Sequence, residues 1–235
     1  MSTVTEFIYF HLKDTVKPED PSNNEGLALL RIFKATTAQS GYKGSAWGRT
    51  KEDENLVVWA IDWADAHTGT QTSQLSPFLE PNTQIGTIFT TLQPPERSLF
   101  SEPKGRRSRS STLIANPVTE LCPLAFPTSL SPQERTGVCD GLIRFRSALV
   151  ERAAAEYRPK SFSMGQVERP GTFAQEKSPS GEAFVHLLVI GWESVEAHVA
   201  AKGTKEFTEA IQPIREKMVS PLQGLGMKHV TFQKV

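Results

Sequence analysis

The chain has 235 residues, 38% of them hydrophobic and 22% charged, a balance that fits a globular protein of one large domain or two small ones. Lys plus Arg and Asp plus Glu both number 26, so the net charge is zero and nothing favours a nucleic acid or another polyanion as partner. No apolar run approaches the roughly 20 residues that cross a bilayer, and the N-terminus lacks the basic start of a signal peptide, so a cytoplasmic protein without membrane contact is expected.

Thr5 to Leu12 alternates as a strand with Phe7, Tyr9 and His11 on one face and apolar residues on the other, which predicts a strand covered on both sides. Lys13 to Asn24 reads as a loop. Glu25 to Ser40 keeps helical spacing and stops near Gly41. Ala46 to Thr50 is a short strand with Trp47 and Arg49 on one side, and Leu56 to Asp62 is a third strand. Ala64 to Leu79 is a weaker helical segment, interrupted by Gly69 and Pro77. Gly86 to Leu92 completes a β-α-β-β-α-β order, that of a ferredoxin-like unit.

Gln93 to Pro117 changes composition. Its prolines, its serines and the basic cluster Lys104 to Arg109 read as an exposed linker. The order then repeats. Thr119 to Phe126 is a strand whose Pro123 implies an edge or a bulge. Ser131-Pro132-Gln133-Glu134 opens a helix with a cap, a proline at its first position and a glutamate at its third, running to about Tyr157. Ser161 to Glu168 is a strand, Ala183 to Ile190 another, and a helix capped by Ser194 runs to about Val219 before a last strand, His229 to Lys234.

Two correspondences relate the halves. Val4-Thr5-Glu6-Phe7 matches Val118-Thr119-Glu120-Leu121, and the strand leaving through Trp63 towards Ala66-His67 matches the strand leaving through Trp192 towards Ala197-His198. They predict an internal duplication, with one repeat over 1–95, a linker over 96–117 and a second repeat over 118–235. The copies differ in polar residues: His186 stands where the first half has Val57, and His11 where the second has Ala125.

The segments IDWADAH at 61–67 and IGWESVEAH at 190–198, each at a strand exit, resemble the dimeric α+β barrel superfamily in its antibiotic-biosynthesis-monooxygenase-like branch. The chain looks most like the tandem version found in fungi. That resemblance implies two ferredoxin-like repeats clasped as an intramolecular α+β barrel, and so a monomer with an internal pseudo-dimer or a further homodimer. The superfamily includes cofactor-free monooxygenases of anthrone-like aromatics, polyketide cyclases, lactone isomerases, haem enzymes and members without known chemistry, so fold alone leaves the activity open.

The acid–base candidates follow. His11 shares a face with Phe7 and Tyr9, and the resemblance implies a pocket-lining first-strand His of the cyclase kind. His67, paired with Tyr9, would match the His that superfamily cyclases place after the third strand. His186 sits in mid-strand, either as a pocket wall or as a structural group. Trp47 with Arg49 offers a flat wall beside a fixed cation for an aromatic anion, and Trp59, Trp63, Trp192 and His198 complete the substrate-side candidates, with core packing as the competing role of every tryptophan. The Asn that the monooxygenases combine with Trp and His has no counterpart on a strand, since Asn55, Asn82 and Asn116 fall in turns and loops. No phosphate cradle, nucleophile elbow or clustered metal ligands occur, and Cys122 and Cys139 read as two buried free thiols. The expectation is a cofactor-free, metal-free enzyme of polyketide or aromatic natural-product metabolism in which a His moves a proton in the cyclisation, isomerisation or dehydration of a hydrophobic small molecule; the alternatives are a cofactor-free anthrone-type monooxygenase and a non-catalytic small-molecule-binding or stress-related barrel.

Overall fold

The computed structural model describes residues 3–65, 70, 72–93 and 109–235. His67 and most of the basic cluster, Lys104 to Ser108, lie outside the described residues.

Among the described residues, four strands come from the first half: β1 (Val4–His11), β2 (Tyr42–Arg49), β3 (Leu56–Trp63) and β4 (Gly86–Thr90). Six come from the second: β5 (Val118–Pro127), β6 (Ser161–Arg169), the short β7 (Phe173–Ala174), β8 (Glu182–Trp192), β9 (Lys228–Val230) and β10 (Gln233–Lys234). They pair in the order β10-β2-β3-β1-β4-β6-β8-β5-β9, with β7 beside β8, and every pairing is antiparallel. The ends of this path meet, because only Thr231 and Phe232 separate β9 from β10 and Thr50 bridges Val230. The antiparallel sheet therefore curls round on itself.

Strand alternation gives the curled sheet two apolar faces. The inward face gathers Phe7, Tyr9, Val58, Leu121, Val185 and Val230 from both halves into one buried cluster. The outward face is covered separately in each half by helices. This explains why β3 is buried along its whole length and reads as a continuous apolar run.

Over the first half lies α1 (Asn24–Thr36). Asn23 caps it by accepting from the Gly26 N–H at 2.7 Å, and Leu29 and Phe33 face the sheet. Over the second half lies α3 (Pro132–Ser147). Its capping box closes as the sequence demands: Ser131 Oγ accepts from the Glu134 N–H, and the Glu134 carboxylate accepts from the Ser131 N–H at 3.0 Å.

Several elements depart from expectation. The long helix starting at Ser131 ends at Ser147 and passes through a π-turn, Ala148–Arg152. The helix after β8 is two helices, α4 (Val195–Lys202) and α5 (Lys205–Arg215), because Gly203 ends one and Thr204 caps the next through the Phe207 N–H. The weak helix after β3 is represented by a 3-10 segment, Thr72–Phe78. Within the supposedly exposed linker, α2 (Arg109–Ala115) is partly buried: Leu113 and Ile114 join the interior cluster, and the Ser110 N–H donates to Asp62 Oδ2 at 2.8 Å. The serine-rich composition concealed that short apolar face. The last strand splits, β9 pairing with β5 and β10 crossing to β2 of the first half. Pro123 costs the sheet little, because β9 pairs with Thr119 to Leu121 and, among the described residues, no strand pairs with β5 on that side at Pro123.

Candidate functional site

The two halves place the same residues in the same register. Val4 lies opposite Trp63 on β1 and β3, and Val118 lies opposite Trp192 on β5 and β8. Two residues along from each valine a glutamate points to the helix-covered side. Glu6 Oε2 accepts from Trp63 Nε1–H at 2.8 Å, and Glu120 Oε2 accepts from Trp192 Nε1–H at 2.9 Å. Both carboxyls are buried, and burial pushes both above the ordinary carboxylate range.

The second partner differs. In the first half Thr70 completes the set, donating its hydroxyl to Glu6 Oε2 at 2.9 Å and its N–H at 3.2 Å. In the second half His198 does so. Its ring stacks on Trp192 with centroids 5.0 Å apart, and its Nε2 lies 3.4 Å from Glu120 Oε2. His198 Nδ1 is 2.8 Å from His229 Nε2, and His229 Nδ1 is 2.6 Å from Glu52 Oε1. Glu52 belongs to the turn between β2 and β3, so this series of four side chains runs from the second half into the first.

Burial, reinforced by neighbouring His229 and Lys202, holds His198 down to about 4, so its ring is neutral near pH 7. Partial burial works against ionisation of Glu52, but the His229 N–H groups outweigh it and hold the carboxyl below its usual range. The Cys122 thiol is pushed up by burial and by the adjacent Glu120, which makes it unreactive.

The same turn grips a second histidine. His11, at the end of β1, has Nε2 3.1 Å from Asp53 Oδ2, and its side chain is 40% exposed. Asp53 is itself fixed: its Oδ1 accepts from the Asn55 N–H at 2.9 Å, and its N–H donates to Thr50 Oγ1. Adjacent carboxylates thus hold one histidine from each half. Glu52 and Asp53 are functional candidates that sequence reasoning missed. The signal was the run Lys51-Glu52-Asp53-Glu54, which reads as an ordinary solvated turn.

The other sequence candidates fall as follows. Tyr9 and Phe7 lie beside His11 on the inward face of β1, both buried, and burial pushes the Tyr9 phenol up. Trp47, Trp59 and Trp63 lie under α1 on the opposite face. Phe33 packs 4.3 Å from the Trp59 ring, whose Nε1–H finds no acceptor among the described residues. Arg49 is committed to its own chain: Nε donates to Glu19, Nη1 to the Glu54 carbonyl and Nη2 to the Val16 carbonyl. An ion pair this open contributes about 0–1 kcal/mol, so the two carbonyl bonds, which pin the 13–23 loop to the turn, define what Arg49 does here. His186 faces the helices of the second half between Phe126 and Phe184, with ring centroids 5.9 and 5.8 Å away. His11, Tyr9 and Phe7 are therefore brought together, while His186 and the pair Trp192 and His198 stand apart from them.

Beside the turn a solvent-open cleft of about 360 Å³ is lined by Asp14, Lys17, Glu19, Asp20, Arg49 and Asn55, among others. A second of about 420 Å³ lies between α3 and α5. The inward face of the curled sheet is a buried cluster of the chain's own side chains. No group of three or more His, Cys, Asp or Glu among the described residues is arranged to hold a metal ion. No helix among them is long and apolar enough to cross a membrane.

No family model matches the chain, and no curated protein matches it. Solved structures do. TA0507, provisionally assigned as a chlorite dismutase, superposes with a TM-score of 0.57 at 10% identity over 100% of this chain and 96% of that one. An anthrone oxidase-like protein gives 0.56 at 12% identity over 100% and 92%. A protein of Lactobacillus acidophilus NCFM, provisionally assigned as a monooxygenase, gives 0.51 at 8% identity over 99% and 94%. At these identities the likeness is one of fold: a mixed α+β chain of the α+β barrel kind.

Proposed function

We propose that this chain is a single-molecule α+β barrel in which two ferredoxin-like repeats, 1–95 and 118–235 joined through 96–117, stand in for two subunits. We infer that it works as a cofactor-independent enzyme of the acid–base kind, with His11 as the proton-moving residue. One observation supports this most. Among the described histidines, His11 alone is both paired with a carboxylate and open to solvent; His186, His198 and His229 are buried. Asp53 accepting from Nε2–H fixes the ring and leaves Nδ1 with a lone pair, the arrangement of a general base. The substrate is a small molecule with an acidic C–H or phenolic proton. Its removal by His11 gives an enolate or phenolate that cyclises, isomerises or loses water. In the oxygenase version, as the name of the anthrone oxidase-like neighbour invites, that anion reacts with dioxygen instead.

The test is turnover of a panel of aromatic and polyketide-like substrates by wild type and by His11→Gln. A general base contributes roughly 10²–10⁴-fold, so the variant should lose that much while melting at the wild-type temperature. Equal rates would end the proposal. An oxygen electrode separates the two versions, because only oxygenation consumes dioxygen.

A specific observation favours a second reading, a non-catalytic barrel: the inward-facing residues pack into one buried cluster of the chain's own side chains, and the four tryptophans are buried. Binding without turnover across the same panel would select it.

A further inference from the structure

We propose that Glu120, His198, His229 and Glu52 form a proton-conducting chain that connects a carboxyl buried in the second half with solvent at the turn of the first. Three features carry the proposal. The four groups lie in series, at 3.4, 2.8 and 2.6 Å. Each imidazole uses both of its ring nitrogens in the series, so each can accept a proton on one side and release one on the other. Only the far end is open: Glu120, His198 and His229 are buried, while the Glu52 side chain is 36% exposed.

The proton count closes. With Glu120 protonated, its O–H points to His198 Nε2, His198 Nδ1–H donates to His229 Nε2, and His229 Nδ1–H donates to the Glu52 carboxylate. Moving the first two protons one place each leaves Glu120 ionised, His198 neutral with its proton on Nε2, and His229 a cation against Glu52. Both arrangements hold three protons and the same net charge, so the exchange separates charge between Glu120 and His229 without adding a net charge to the fold. A further shift protonates Glu52, which releases the proton to water; return of a proton from water reverses the sequence. The slow step is the first, since 3.4 Å exceeds a good hydrogen bond and must shorten by a small swing of the His198 ring over Trp192. Burial favours the proton on Glu120 and outweighs the Trp192 N–H, His229, Lys202 on α4 and Cys122 on β5, all of which favour its ionised form; burial, with His229 and Lys202, also keeps His198 from holding a charge. Glu6 in the first half has Thr70 in place of the histidines, and a hydroxyl and an amide bonded to a carboxylate supply no such series.

Nuclear magnetic resonance of ¹⁵N-labelled protein reads the conduction without any substrate, so its result is independent of the fate of the His11 proposal. The expected result is that the His198 ring N–H exchanges with water faster than the backbone amides of α4, and that Glu52→Gln slows ring exchange by about tenfold or more while the α4 amides keep their rates. His229→Gln, which keeps a hydrogen-bonding side chain but cannot relay, should slow it likewise. Ring exchange that follows the α4 amides in wild type, or that is unchanged in Glu52→Gln, would mean that protons reach His198 by opening of the helix, and would overturn the chain.

Discussion

At the scale of single residues, the partners of the buried carboxyls decide how each half differs. The match between Val4-Thr5-Glu6 and Val118-Thr119-Glu120 is legible in the sequence, and so are Trp63 and Trp192. That each glutamate receives its own tryptophan's N–H is not, because the bonds span 57 and 72 residues and depend on strand register. His229 was legible only as the start of a strand, and Glu52 only as turn charge; their meeting requires the barrel to close. His186 offers the cleanest test of buried-histidine energetics. Burial beside Phe126 and Phe184 holds it down to about 4, against an ordinary 6.5. The folded protein thus keeps it neutral while the unfolded chain takes up a proton as pH falls. Its contribution to stability is complete above about 6.5 and is lost on acidification towards 4. The raised carboxyls Glu6, Asp62 and Glu120 act oppositely, losing stability as pH rises, so the total profile mixes both signs. Comparison with His186→Met isolates the histidine. Denaturant titrations from pH 8 to 4, a window set by the histidine values, should show wild type losing roughly 2–3 kcal/mol more than the variant. Parallel curves would show that His186 accepts its proton within the fold.

At the scale of elements, the sequence announces strands and caps better than it announces the seams between halves. β1, β3, β5 and β8 carry apolar runs that only a doubly covered strand needs, and Ser131 and Ser194 cap the helices they precede. The seams rest on short contacts with no periodicity: β4 against β6 at Thr90 and Val167, and β2 against β10 at Trp47 and Gln233. Both seams use a glycine for close approach. A Cβ on Gly48 of β2 would run into the Thr231 carbonyl, and one on Gly165 of β6 into the Thr91 carbonyl and the Thr90 hydroxyl. These two strands hold corresponding places in the halves, each against the last strands of the other half. Gly48→Ala and Gly165→Ala should each destabilise by about 2–4 kcal/mol, because backbone on both sides must move apart. Thermal melting checks this, and two variants melting with wild type would show that the seams yield freely.

At the scale of the whole molecule, the question is whether the halves are one folding unit. The strands follow the order β4-β1-β3-β2 in the first half and β9-β5-β8-β6 in the second. Each half has its own helix-covered core, and those cores alone would allow independent folding. The interior cluster opposes that. Phe7 and Val58 of the first half pack with Leu121, Val185 and Val230 of the second, and a half released on its own would expose this face. Side chains of that size contribute roughly 1.5–3 kcal/mol each on burial, so several together match the whole stability of an ordinary domain. The Glu52 and His229 contact and the crossing of β10 to β2 add bonds that neither half makes alone. Calorimetry should therefore give one transition, with calorimetric and van't Hoff enthalpies in agreement, and light scattering should give the mass of one chain, since both seams are satisfied within it. Two separated transitions would show that the interior cluster is too weak to couple the halves. A dimer mass would show that a surface outside the two seams is in use.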